Sequence, residues 1–269
     1  MDTVTQRGER ISLAQRSLVS QRYKRITKAI NKEFWDSDSE NAHSMYVGSY
    51  GRGTAIDTSD IDILVELPRR EYDRFDALKG NGQSRMLQAV KGAIQASYPR
   101  SNVRADGQVI VIDFTDDIKF EVLPAFKQID WLGGWNGKYD YADTNMGGNW
   151  RSTNPRAEQE AMRKRNSESN GLLFDTCRHM REIRDNHFSS YHLSGIVIDS
   201  YAYHHIADWH WLKDGEGPSQ HPRGTFEKKL YNECPFWGFS LTAPGSGDYV
   251  NTTNDVDCLR KVLNYMSKS

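Results

Sequence analysis

Two aspartates two positions apart, Asp60 and Asp62, open an apolar run of Ile61, Ile63, Leu64 and Val65 that Pro68 closes. Shortly before them the chain reads Gly48-Ser49-Tyr50-Gly51-Arg52-Gly53-Thr54. Read as a strand from Ser59 to Leu67, the run alternates faces with period two. Asp60 and Asp62 then share one face, and Ile61, Ile63 and Val65 turn to the other and into a core. Carboxylates about 7 Å apart along a strand repel unless a cation lies between them. Hard oxygen ligands suit magnesium, which is commonly held by one or two carboxylates together with substrate phosphates. A glycine-rich turn lets backbone amides approach a phosphate closely. The chemistry these residue types could do is metal-assisted work on a polyphosphate.

Elements that position them are legible on both sides. Val19, Tyr23, Ile26, Ile30 and Phe34 recur at helical spacing and predict a helix from about Ser12 to Phe34, ended by the polar loop Asp36–Asn41. Met45-Tyr46-Val47 leads into the glycine turn. Met86, Leu87, Val90 and Ile94 predict a second helix over Ser84–Ser97, stopped by Pro99. Val103 begins an extended stretch, and residues 108–114 and 118–123 read as a hairpin turned by Thr115-Asp116-Asp117. In its second strand Ile118, Phe120 and Val122 share one face, and Lys119 and Glu121 the other. Glu121 is therefore the candidate third carboxylate, with Asp113, Asp116 and Asp117 as rivals. Their turn position favours plain hairpin chemistry for Asp116 and Asp117, and a solvated strand residue is the alternative reading of Asp113. Residues 128–149 read as a long loop rich in Gly, Asn, Asp and aromatics; such length marks either a functional loop or disorder, and the aromatics favour an ordered one, with a substrate lid as one role. Ser152-Thr153-Asn154-Pro155 then announces a polar helix.

Composition bounds the classes of function. The chain has 269 residues, 37% hydrophobic and 26% charged, which suits one large domain or two lobes. A formal net charge of −1 gives no global field for a long nucleic acid or an anionic membrane. Arg163-Lys164-Arg165 reads as a solvated helix face. Cys177, Cys234 and Cys258 are odd in number and far apart, which argues against a disulfide framework or a zinc knuckle and for the cytoplasm. His204, His205 and His210 lack the spacing of a zinc set. The first residues, Met1–Arg7, carry no apolar leader, and no run approaches a membrane span.

The Gly-Ser pair followed by Asp-x-Asp on the next strand resembles the signature of the nucleotidyltransferase superfamily. Lys119-Phe120-Glu121-Val122-Leu123-Pro124-Ala125-Phe126 sharpens the likeness: it is similar to the third-carboxylate strand of the oligoadenylate synthetase and cyclic GMP-AMP synthase branch, with Glu where many members have Asp. The chain as a whole most resembles the bacterial cyclic GMP-AMP synthase-like enzymes, or CD-NTases.

That resemblance implies an α/β (α+β) protein, with a polymerase-β-like nucleotidyltransferase lobe on a mixed sheet, a C-terminal helical lobe, and the active site in the cleft between them. Residues 1–150 would form the catalytic lobe, its first helix bracing both lobes, and 151–269 the helical lobe. Asp60, Asp62 and Glu121 would be catalytic and would ligate two magnesium ions, with manganese as a substitute. Gly48 and Ser49 would hold the β- and γ-phosphates, with Arg52 either adding charge or facing solvent. In the second half, Leu173, Cys177, Met180 and Arg184 mark one helix face, and Leu193–Trp211 reads as a central helix. The resemblance assigns Arg178 or Arg181 to the triphosphate, Ser190 to its tail and Tyr191 to a base. On the residues alone, the arginines are equally a solvated pair, Ser190 a helix cap and Tyr191 a packed aromatic. Residues 255–266 close the chain as a helix. The implied reaction joins nucleoside triphosphates into a cyclic di- or trinucleotide that activates a phage-defence effector, with any regulatory partner unspecified. Two other readings stand beside it: transfer to a macromolecule or small acceptor, and a non-catalytic nucleotide sensor.

Overall fold

The computed structural model describes residues 11–57, 60–217, 219 and 221–268. Readings that fall on Ser59 or on Met1–Arg7 lie outside the described residues. The chain divides into two compact units. Residues 11–51 and 60–155 make one, and residues 52–57 and 156–268 the other. The expected division after residue 150 falls inside a strand, and residues 52–57, which begin within the glycine-rich stretch, go with the later unit.

The first unit begins with α1, Leu13–Phe34. Ser12 caps it by accepting from the Gln15 amide while the Gln15 side chain accepts from the Ser12 amide. Its buried face is the foreseen one, with Val19, Tyr23, Ile26, Ile30 and Phe34 all in the core. After β1 (Ser44–Tyr46) comes α2 (Gly48–Arg52), a short helix where a turn was expected, and then β2 (Ile61–Glu66). Pro68 ends β2 and caps α3, Arg69–Asp76, which buries only Glu71 and Phe75 and whose charged sequence hid it. α4 runs Gly82–Ser97, capped by Asn81, with Met86, Leu87, Val90 and Ile94 buried.

Strands β3 (Asn102–Asp106), β4 (Val109–Asp113), β5 (Lys119–Ile129), β6 (Trp135–Asp143) and β7 (Asn149–Thr153) complete a seven-stranded mixed sheet. Its order is β1-β2-β5-β4-β3, with β6 on β5 and β7 on β6. Among the described residues only β2 and β5 run parallel. β5 is long enough to serve two neighbourhoods: Phe120–Ala125 pair with β2, and residues from Ala125 onward pair with β6. One face carries Ile61, Ile63, Val65, Ile110, Ile112, Phe120 and Val122 into the core beneath α1 and α4. The opposite face has a smaller apolar patch of Val47, Leu64, Ala125 and Tyr139.

The long loop expected over 128–149 is instead mostly β6 and its turns. Tyr139 and Ala142 are buried, and Trp150 of β7 packs on Tyr72 and Phe126 with ring centroids 4.8 and 5.5 Å away. Aromatic packing holds these strands despite their Gly, Asn and Asp content, which local propensity reads as loop.

The second unit is mainly helical: α5 (Pro155–Glu168, beginning one residue before the unit does), α6 (Leu172–His187), α7 (Gly195–His205), α8 (Thr225–Glu233) and α9 (Val256–Met266), with the two-stranded β8 (Ser240–Thr242) and β9 (Tyr249–Asn251). Its core gathers Leu173, Cys177, Met180, Val197, Tyr201, Leu230, Leu259 and Val262 among others. Cys177, Cys234 and Cys258 are free and buried. The central helix is shorter than expected, starting at Gly195 and ending at His205. Among the described residues no helix is long and apolar enough to cross a membrane.

Candidate active site

Parallel pairing of β2 with β5 sets the site. Asp62 and Glu121 are register partners, as are the core residues Ile61 with Phe120 and Ile63 with Val122 on the opposite face. Burying the odd residues of β2 and the even residues of β5 therefore forces both carboxylates to the same side. Asp60 stands one residue ahead of β2. Lys119, two residues before Glu121 and on its face, reaches both flanking acids: its Nζ is 2.9 Å from Asp60 Oδ2 and 2.6 Å from Glu121 Oε1. Burial works against the charge on Lys119, but the bonds to Glu121 and Asp60 outweigh it and hold the ammonium above the usual lysine range.

Gly48 closes the other side. Its φ is +58°, and a Cβ built there would lie 1.9 Å from Asp62 Oδ2. Only glycine allows the backbone of α2 to lie against that carboxylate. The Val47 amide donates to the Asp62 carbonyl at 2.8 Å, fixing the approach. Tyr50 anchors α2 from behind: its ring lies 4.7 Å from Tyr46, which stacks on Tyr23 of α1 at 4.3 Å. Ser49 follows Gly48 directly in α2.

The donor set fits a hard divalent ion. The three acids offer only carboxylate oxygen, Asp62 and Glu121 are locked in register, and Asp60 and Glu121 already share a cation in the Lys119 ammonium. The expected three-acid cage is not closed, however: among the described residues no group of three His, Cys, Asp or Glu is gathered tightly enough to hold an ion. Lys119 stands between two of the three acids, Asp60 and Glu121. The alternation of residues 118–122 put Lys119 on the Glu121 face, and that was the signal for its role.

The rivals for the third carboxylate are engaged elsewhere. Asp113 accepts from Asn102 Nδ2 at 3.0 Å and pairs with Arg104 on β3. Asp116 takes both arms of Arg22, at 2.9 and 2.8 Å. Asp117 holds a turn with φ +62°.

In the helical unit the expected phosphate-binding arginines divide. Arg52 Nε donates to Asp199 Oδ2 at 2.8 Å and its Nη1 to Glu158 Oε2 at 2.9 Å. Arg181 Nη1 donates to Asp199 Oδ1 at 2.7 Å, and its Nη2 to the Gly195 carbonyl at 3.0 Å. Thr54 Oγ1 adds a bond to Asp199 at 3.0 Å. Asp199 is fully buried. Burial alone would raise its carboxyl, but Arg181 and Arg52 outweigh burial and hold it at about 2. At Glu158 burial wins over Arg52, and the carboxyl is pushed up. Arg52 and Arg181 thus hold an internal ion network, in place of the phosphate contact expected of either. Arg178 is less enclosed: it donates to the Gly53 carbonyl at 2.7 Å and to Asp175 at 3.2 Å. Ser190 and Tyr191 do not begin a helix. They lie in the turn between α6 and α7, where Ser194 is the cap residue. Tyr191 is 44% exposed, with Lys261 Nζ 4.8 Å from its ring centre.

Solved structures share this architecture. The cyclic dinucleotide synthase CdnE of Elizabethkingia meningoseptica, determined with GTP and Apcpp, matches with a TM-score of 0.58 at 15% identity, covering 93% of this chain and 89% of that one. The c-UMP-AMP synthase CdnE of Rhodothermus marinus gives 0.60 at 15%, covering 97% and 92%. The Vibrio cholerae cyclic AMP-GMP synthase DncV, with a linear intermediate, gives 0.60 at 13%, covering 95% and 81%. At these identities the likeness defines the fold, that of the polymerase-β-like CD-NTases. No curated protein matches the chain. Residues 2–166, more than half of the sequence, match the model of the Second Messenger Oligonucleotide or Dinucleotide Synthetase domain. The chain belongs to that family and is a nucleotidyltransferase of the CD-NTase kind.

Proposed function

We propose that this enzyme joins nucleoside triphosphates into a cyclic di- or trinucleotide, releasing pyrophosphate, and that the product serves as a second messenger in bacterial defence against phage. The observation that carries the reading is the in-register pair Asp62 and Glu121, with Gly48 against Asp62, in a chain of a synthetase family. The neighbouring synthases were solved with nucleoside triphosphates or their analogues, which supports such substrates here.

In this proposal Asp60, Asp62 and Glu121 hold two magnesium ions, or manganese in their place. Magnesium bound there supplies positive charge to the polyphosphate and lowers the pKa of the attacking hydroxyl. The chain itself does the positioning. The in-register strands fix Asp62 and Glu121 to one side, so their negative charge is concentrated where a divalent ion would be held. Gly48 and Ser49 offer amide and hydroxyl donors to the phosphates. Holding both nucleotides in a fixed geometry supplies the orientation that in-line attack needs. Arg178 is the proposed triphosphate contact of the helical unit, and Ser190 and Tyr191 its proposed contacts to phosphate and base.

The test is incubation with labelled ATP, GTP, CTP and UTP and magnesium. Phosphatase-resistant small products are the expected result. Label transferred only to a macromolecule or another acceptor, or nucleotide binding without turnover, would overturn it.

A further inference from the structure

Lys119 is a feature that this chemistry does not require. Its ammonium lies within bonding distance of two acids proposed to bind metal, at 2.9 Å from Asp60 and 2.6 Å from Glu121. Asp60 and Glu121 would otherwise face each other as like charges. An ammonium and a divalent ion cannot both occupy the oxygens that face each other across that gap. We propose that Lys119 is the resident counter-cation of the carboxylate cluster, holding Asp60 and Glu121 together in the free protein and withdrawing when a divalent ion binds. The inference rests on the reading of these acids as metal ligands.

The ion network around Asp199 shows the contrast. Around Asp199, which is fully buried, the cations are Arg52 and Arg181, whose planar forks are fixed by several bonds each. Around Asp60 and Glu121 the cation is a lysine with a side chain 31% exposed. A lysine is a point charge on a flexible four-carbon stem. It can leave by rotating its own bonds, with solvent at hand and no movement of β5.

The experiment uses the whole chain without nucleotide. Mn2+ affinity is measured by electron paramagnetic resonance of the free ion, and unfolding temperature with EDTA and with Mn2+. Lys119→Met should unfold several degrees lower in EDTA, bind Mn2+ at least threefold more tightly, and gain more stability from it than the unsubstituted protein. Lys119→Arg, which cannot vacate as readily, should bind Mn2+ more weakly. Should Lys119→Met fail to fold, the Arg variant decides alone. Unchanged or weaker Mn2+ binding in Lys119→Met, or unchanged or tighter binding in Lys119→Arg, overturns the proposal. Asp62→Ala separates the two levels. If it abolishes Mn2+ binding while the Lys119 variants change nothing, only the lysine's role falls. If it leaves Mn2+ binding intact, the metal reading falls and takes this inference with it.

Discussion

Single atoms decide most at Gly48 and Asp62. A methyl group at residue 48 would meet Asp62 Oδ2 at 1.9 Å, and the +58° backbone already disfavours any side chain. Gly48→Ala should cost about 1–3 kcal/mol in backbone strain and displace the carboxylate as well. Calorimetric unfolding should register the first effect, and product formation, falling more than the stability alone explains, the second. Asp60→Ala and Asp62→Ala should each lower synthesis by more than about 100-fold while leaving the unfolding temperature within a few degrees. Retained turnover in either would remove the metal role. Glu121→Gln should cut the rate comparably, and Asp113→Asn should not, because Asp113 is tied to Arg104 and Asn102.

Among elements, the ion network of the helical unit makes the firmest forecast. Asp199 accepts from Arg52, Arg181 and Thr54 without solvent. Asp199→Ala would leave two buried guanidiniums short of a partner and should cost about 3–5 kcal/mol. Its pH dependence has a defined sign. The carboxyl sits at about 2 in the folded protein and near 4 in an unfolded chain. The stability it contributes is therefore complete above about pH 4 and is lost as pH falls toward 2. Asp199→Asn should flatten that window in acid unfolding measured by circular dichroism.

These elements also show what the sequence discloses. Period two in β2 and β5 and period near 3.6 in α1 and α4 are imposed by burial, so the faces of Asp62, Glu121 and Ile26 were legible. The partner of each strand was not, since pairing Asp62 with Glu121 is a long-range event. β6 and β7 were hidden because long-range contacts hold them, β6 by pairing with β5 and β7 by packing Trp150 on Tyr72 and Phe126, where their own composition favours loop. Arg52 could not be told from a phosphate ligand, because its partners Glu158 and Asp199 lie more than a hundred residues away. The start of α7 at Gly195 was missed for a local reason: Ser189, Ser190 and Ser194 are equally good caps by type.

For the molecule entire, the family assignment predicts what bulk assays should see. Mass spectrometry of the four-nucleotide reaction should find a cyclic product, and excess EDTA should abolish it. Turnover in EDTA would refute the divalent-ion reading while leaving the fold untouched. Residues 52–57 belong with 156–268, although β2 and most of the sheet come between them in sequence. A fragment cut at residue 156 would thus carry Asp199 and Glu158 away from Arg52 and should express poorly or as an unfolded chain. Anyone trimming this protein for crystallisation, or splitting it into complementing halves as a biosensor, would find that no single cut of the chain separates the two units, because residues 52–57 are flanked on both sides by the other unit.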